Sequence, residues 1–242
     1  MTANVVDRDF KTIAGIRAAL AAAGSKIQGA IFEENGNQHG MSRALAQARN
    51  ANRAACMGDF LRIDTPASAL QLFTRNDNAW DQGHVFYTPA QAWLAPSGVA
   101  QILVSSASGD RVVRGSLAGA GGCPALDVAV LHDAATATLH VRAVNSGAQL
   151  CPLRVQVRGC SGSPAAGAVV AVRSMHGNNS LYNTPSAPRL VWPKQQATAQ
   201  AANGSFELAL QPSSFTTASL ACGVGAGRTR RAPASDSNTC SL

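Results

Sequence analysis

Two adjacent carboxylates, Glu33 and Glu34, close an apolar run, Ala30-Ile31-Phe32, and are followed at once by the turn residues Asn35-Gly36-Asn37. A buried strand that delivers an acid to its own C-terminal end is how barrel enzymes place catalytic groups. The chemistry such an acid offers is attack on, or protonation of, a glycosidic bond flanked by a pair of carboxyl groups. Neighbours in an extended strand point to opposite faces, so Glu33 and Glu34 cannot form that pair between them. One of them acts and its partner comes from elsewhere; otherwise both belong to a capped, solvated turn. His39 and His84 flank the same region and offer imidazole hydrogen bonds to a hydroxyl, against the simpler reading of solvated loop histidines.

The elements around these residues read as an α/β unit followed by a β-rich half. From Asp9 to about Ala23, Phe10, Ile13, Ile16 and Leu20 recur at helical spacing, with Asp9 placed to cap the start and Gly24 to close the end. Ile27 to Phe32 reads as a short strand. Met41 to about Cys56, rich in Ala with Leu45, Ala48 and Ala55 on one side, reads as a second helix. Helix, strand, helix is an α/β arrangement. The stretch from Phe60 to Ser108 mixes short apolar pieces with Asp, Asn and Pro, and concentrates the rings Phe73, Trp80, Phe86, Tyr87 and Trp93. These rings are either ligand-handling loop residues or packing plugs.

Beyond Arg111 the pattern changes to closely spaced strands. Leu126 to His132 and Thr138 to Val144 alternate and are joined by Asp133-Ala134-Ala135-Thr136, a hairpin by pattern. Leu153 to Val157, Ala168 to Val172, Leu190 to Trp192, Phe206 to Leu210 and Phe215 to Ala221 continue the series, which predicts an antiparallel β-sandwich. The expected division is 1–94, then a sandwich over 95–222, then a disordered basic tail over 223–242.

Composition excludes several function classes. The chain has 242 residues, 46% hydrophobic and 14% charged, enough for a sizeable core. No apolar run approaches the roughly 18 residues of a membrane span. The formal charge of +7 is partly gathered in the tail at Arg228, Arg230 and Arg231 and otherwise scattered, which argues against a nucleic-acid surface. Cys56, Cys123, Cys151, Cys160, Cys222 and Cys240 lack zinc-site spacing, so no metal is expected. One or two disulfides of an exported protein and buried free thiols both fit the four cysteines of the β-rich half. Asn178-Asn179-Ser180 and Asn203-Gly204-Ser205 match the N-glycosylation pattern. The first residues do not form a signal peptide, since a charged pair precedes any apolar stretch.

Several separated blocks resemble, in order, the C-terminal part of α-L-arabinofuranosidases of glycoside hydrolase family 51. They are Ala30-Ile31-Phe32-Glu33-Glu34-Asn35, the helix with Ala44-Leu45-Ala46-Gln47-Ala48-Arg49-Asn50, Gly58-Asp59-Phe60, and Asn76-Asp77-Asn78-Ala79-Trp80. In the β-rich half they are Leu126-Asp127-Val128, Asn183-Thr184-Pro185 before Val191-Trp192-Pro193, and Phe206-Glu207-Leu208. The resemblance implies a mixed fold: the last βα unit of a (β/α)8 barrel, then a jelly-roll-like sandwich. It also implies a retaining glycosidase without a cofactor, acting on arabinose-containing polysaccharide or oligosaccharide, and export from the cell. Glu34 aligns with the family's nucleophile, and Asn37, Asn78 and Trp80 fall at the sugar-contacting end. Asn35 stands where an aromatic residue commonly follows, which leaves Glu33 as the alternative. The family's acid/base glutamate lies in an Asn-Glu pair, and this chain has none. A whole barrel takes about 250 residues, so the expectation is a C-terminal portion, lacking the N-terminal part of its barrel and inactive alone.

Overall fold

The computed structural model describes residues 3–34, 38–66, 69–75, 81–117, 122–161, 168–196, 199–201 and 204–224. These form a mostly β structure with three helices and no closed barrel. The chain divides into two compact units, residues 1–102 with 177–192, and residues 103–176 with 193–242. The division differs from a linear one because the segment 177–192 leaves the β-rich part and rejoins the first unit.

In the first unit, α1 (Ala3–Ala22) starts earlier than expected. No Gly or Pro interrupts residues 3–8, so Asp9 lies inside the helix rather than capping it. Its far end is as expected: Gly24 takes φ +67°, and Ser25 N–H reaches back to Leu20 O at 2.9 Å, a Schellman closure. Strand β1 (Gly29–Glu34), helix α2 (Met41–Cys56) and strand β2 (Leu61–Pro66) follow. The strands pair in parallel, with Gly29 opposite Leu61, Ile31 opposite Asp64 and Glu34 opposite Pro66. Phe10 and Ile13 of α1, Ala46 of α2, Ile31, Phe60 and Leu61 share one apolar core. Gly29 is required there, since a Cβ would stand 2.9 Å from the Phe60 ring.

Strands β3 (Leu70–Leu72), β4 (Val85–Tyr87) and β5 (Ala92–Leu94) make a small sheet, parallel then antiparallel. Phe73, Phe86 and Trp93 pack on one another there, with Phe73 edge-on to Trp93 at 5.1 Å between centroids. These three rings are therefore packing plugs. Asn183, buried, threads the returning segment onto this sheet: its amide nitrogen donates to Leu94 O and Val191 O, and its amide oxygen accepts from Val191 N–H. The expected strand Leu190–Trp192 is absent for that reason, because a side chain has taken the backbone groups a ladder would use.

Helix α3 (Pro96–Ser106) was not expected; it occupies residues read as loop and as the start of the sandwich. Pro96 opens it, and Val99, Leu103 and Ala107 fall on one buried line.

The second unit contains β6 (Arg111–Val112), β7 (Leu126–Asp133), β8 (Thr138–Asn145), β9 (Cys151–Gln156), β10 (Cys160–Ser161), β11 (Ala168–His176), β12 (Lys194–Gln195), β13 (Ala199–Ala201), β14 (Ser205–Leu210), β15 (Ser214–Ala221) and β16 (Gly223–Val224). One sheet runs β12-β11-β15-β8-β7-β6, with β13 also on β11; β9 pairs with β14, and β10 with β16. All these pairings are antiparallel. The expected β7–β8 hairpin is present. Asp133 braces its turn through Ala135 N–H at 2.9 Å and the Thr136 hydroxyl at 2.6 Å. Leu139, Val141, Val170, Val172 and Leu220 of the large sheet meet Leu153, Phe206, Leu208 and Leu210 of the β9–β14 sheet across one core. Disulfides Cys123–Cys151 and Cys160–Cys222 clamp this unit, so these four cysteines are not free thiols. Gly223 and Val224 are strand, not the beginning of a tail, and residues 225–242 lie outside the described residues. Among the described residues no helix is long and apolar enough to cross a membrane.

Candidate active site

Glu34 ends β1, as expected for an acid presented by a strand, and Glu33 before it is exposed. The Glu34 carboxylate accepts a hydrogen bond from the Asn50 amide of α2. Asn50 belongs to a polar line on that helix, Arg43, Gln47 and Asn50, at the i, i+4, i+7 spacing of one helix face. All three are buried.

The Arg43 guanidinium donates to Gln82 O and, at 3.3 Å, to Gln38 O. Burial pulls its pKa down to about 10, while the charges of Glu34 and Asp81 act in the opposite sense. Asp81 accepts from His39 Nδ1, and the His39 ring stands edge-on to Tyr182 at 4.3 Å and to Phe86 at 5.6 Å. Gln71 holds the segment that carries these groups, its amide oxygen accepting from Gln82 N–H at 3.0 Å and Gly83 N–H at 2.7 Å. His84 Nε2 lies 3.4 Å from the Gln47 amide nitrogen. Burial first and Arg43 second lower the His84 pKa to about 4, so at neutral pH this ring accepts rather than carries charge. The buried amide oxygens of Gln47, Asn50 and Gln82 have no hydrogen-bond partner among the described residues, which leaves acceptors for hydroxyl donors.

The structure thus brings together Glu34, Arg43, Asn50, Asp81, His39 and His84. Asn37, Asn78 and Trp80 lie outside the described residues. The sequence reading missed Arg43, Asn50 and Asp81. It also missed Asp64, whose carboxyl burial pushes up and which sits opposite Ile31 in the β1–β2 register. The available signal for Asp64 was an acid directly after the alternating piece Leu61-Arg62-Ile63. Chemically, an oriented carboxylate with a cation nearby suits attack on, or electrostatic stabilisation of, an electron-poor carbon.

No family model matches the chain, and no curated protein matches it. Solved structures do. A structure described as an arabinofuranosidase superposes with TM-score 0.71 at 16% identity, over 89% of this chain and 48% of that one. The thermostable family 51 α-L-arabinofuranosidase of Thermotoga petrophila RKU-1 gives 0.67 at 17% identity, over 90% and 49%. The arabinose-bound family 51 enzyme MgGH51 gives 0.67 at 18% identity, over 77% and 28%. The chain spans less than half the length of each of these proteins. What is shared at such identities is architecture, and the architecture is that of part of a glycoside hydrolase family 51 α-L-arabinofuranosidase, as the sequence blocks implied.

Proposed function

We propose that the chain is the nucleophile-bearing portion of a retaining α-L-arabinofuranosidase. In this reading β1, α2 and β2 are the last βα unit of a (β/α)8 barrel, and the second unit is its jelly-roll-like C-terminal sandwich. The substrate is a terminal α-L-arabinofuranosyl residue of a cell-wall polysaccharide or oligosaccharide. The observation that carries this is the Glu34 carboxylate at the C-terminal end of β1, oriented by Asn50 and placed in the field of the buried Arg43.

Glu34 attacks the anomeric carbon, forming a glycosyl ester as the glycosidic C–O bond breaks. A second carboxylic acid hands its proton to the leaving oxygen, then activates the water that releases arabinose. Those two carboxyl groups must stand about 5 Å apart. With no Asn-Glu pair in the chain, the acid is supplied by a preceding barrel portion, and the chain alone is inactive. Asn37, Asn78 and Trp80 contact the sugar, the indole by stacking. Two disulfides support an oxidising, exported setting.

The test is release of nitrophenol from 4-nitrophenyl α-L-arabinofuranoside. The expected result is no turnover by the chain alone, turnover by a form extended with the preceding barrel portion, and a fall of about 10⁴-fold in that form on Glu34→Gln. Turnover by the chain alone that vanishes on Glu34→Gln overturns the divided-site reading. An extended form indifferent to Glu34→Gln overturns the nucleophile assignment. A second reading, a non-catalytic carbohydrate-binding or domain-stabilising sandwich, draws on the self-contained core and paired disulfides of the second unit. Arabinan binding retained by an extended form without activity favours it.

A further inference from the structure

Asn178 and Ser180 occupy an exposed turn whose carbonyls at 178, 179 and 181 are hydrogen-bonded. Leu181 N–H closes it on Asn178 O at 2.8 Å. The carbonyls of Asn179 and Leu181 accept from Ser42 N–H at 3.0 Å and Met41 N–H at 2.9 Å. They thereby satisfy the first donors of α2, which Gly40 has no side chain to cap. The turn is therefore held in place while the side chains of residues 178–180 face solvent.

Within it the Asn178 amide oxygen accepts from both Ser180 N–H, at 3.1 Å, and the Ser180 hydroxyl, at 3.2 Å. The amide nitrogen makes no hydrogen bond among the described residues. Asn183, five residues on, shows the contrast: it is buried, and its nitrogen is consumed by Leu94 O and Val191 O. Disulfides Cys123–Cys151 and Cys160–Cys222 point independently to an oxidising lumen. That is where asparagine is glycosylated.

We propose that Asn178 is an N-glycosylation site. The donor class is an oligosaccharide carried on a polyprenyl diphosphate. The Asn178 amide nitrogen forms a C–N bond to the anomeric carbon as the C–O bond to diphosphate breaks; the lipid diphosphate leaves, and the nitrogen gives up one proton to solvent. Asn-x-Ser is the acceptor pattern, and here its hydroxyl already faces its amide. A glycan on this turn projects from the N-terminal end of α2 without disturbing the backbone bonds that cap the helix.

The experiment is peptide mapping of the chain recovered from the secretory pathway of a eukaryotic host, with disulfides intact, after amidase removal of N-glycans in ¹⁸O water. The expected result is Asp, carrying the label, at position 178, and a gel-mobility shift that survives Asn203→Gln but is lost in Asn178→Gln. Ser180→Ala should abolish the modification and Ser180→Thr should keep it. Unmodified Asn178 in oxidised, secreted protein overturns the proposal, as does modification confined to Asn203 or indifferent to Ser180→Ala. Recovery of the chain only inside the cell with reduced cysteines overturns it too. Mapping of the unaltered chain decides the matter even where a variant fails to fold.

Discussion

Among the described residues each unit buries one arginine, and the two are used in opposite ways. Arg43 in the first unit and Arg142 in the second are 3% and 4% exposed, and burial pulls both down to about 10. Arg142 spends its guanidinium on the end of α3, donating to Ala107 O and Val104 O at 2.8 Å and to the Ser108 hydroxyl at 3.2 Å. That is a helix C-terminus satisfied by a cation, a structural role. Arg43 faces two carboxylates, Glu34 and Asp81, as well as backbone carbonyls. A buried cation answered by carbonyls stabilises a fold; one answered by carboxylates is an arrangement that functional sites also use. The contrast extends to composition, since every Trp and Tyr lies in the first unit and both described disulfides lie in the second. Tryptophan fluorescence therefore reports the first unit alone, while far-ultraviolet circular dichroism reports both.

That separation gives the largest test. Cys160–Cys222 closes a loop with sequence separation 62. Removing it with Cys160→Ser and Cys222→Ser should cost about 4 kcal/mol by the chain-entropy relation. The loss should appear as an early phase in urea unfolding followed by dichroism, with the fluorescence midpoint unmoved. A fluorescence midpoint that moves in step would break the distinction between the units.

The next effect comes from pH and concerns the first unit. His84 titrates near 4 when folded and near 6.5 when unfolded, so the unfolded chain binds more protons between those values. Its contribution is whole above about pH 6.5 and is lost progressively down to about pH 4, up to roughly 3 kcal/mol. Fluorescence-monitored stability of His84→Gln should lack that slope. His140 in the second unit is also lowered, chiefly by burial and then by Arg142, so dichroism should keep a slope of the same sign in His84→Gln.

How much of this was legible in sequence follows from which groups satisfied which. The bounds of α2 and the β7–β8 hairpin were readable because local signals, helical spacing and an Asp-initiated turn, agree with the tertiary outcome. Helix α3 was not, because Pro96-Ser97-Gly98 looks like punctuation although a proline at the first helical position is favourable. Strand β2 was hidden by Asp64, Thr65 and Pro66, and its parallel partner is reached only across α2. Glu34 could be placed at a strand end from its own neighbourhood, but Asn50, 16 residues away, could not be named as its partner. Binary patterning sends Arg43, Gln47 and Asn50 to the solvent face of α2; they are buried because that helix is covered on both faces.

The two arginines themselves give a sharper, smaller test. Arg43→Met and Arg142→Met should each cost about 2 kcal/mol, the loss of charge-assisted bonds to buried carbonyls. Combining each with Glu34→Gln separates them. Arg43→Met should be non-additive with Glu34→Gln, with a coupling of about 1 kcal/mol, and Arg142→Met should be additive. Additivity at Arg43 would reduce it to a second helix-and-loop tether and remove its claim on the site.

The smallest effect asks whether the units differ where their physics is the same. Gly24 in the first unit and Gly159 in the second both hold positive φ, +67° and +84°, with open space where a Cβ would go. Alanine at either meets no neighbour and is strained only by its own backbone, at about 1 kcal/mol. Gly24→Ala loosens the Schellman end of α1, so it should lower the fluorescence midpoint. Gly159→Ala acts on the turn between β9 and β10 and should shift only the dichroic phase lost with Cys160–Cys222. Equal costs read by different probes would mean that the units obey one set of backbone rules while folding as separate bodies. A Gly159→Ala change seen in fluorescence would show strain passing from the second unit to the unit that carries Glu34.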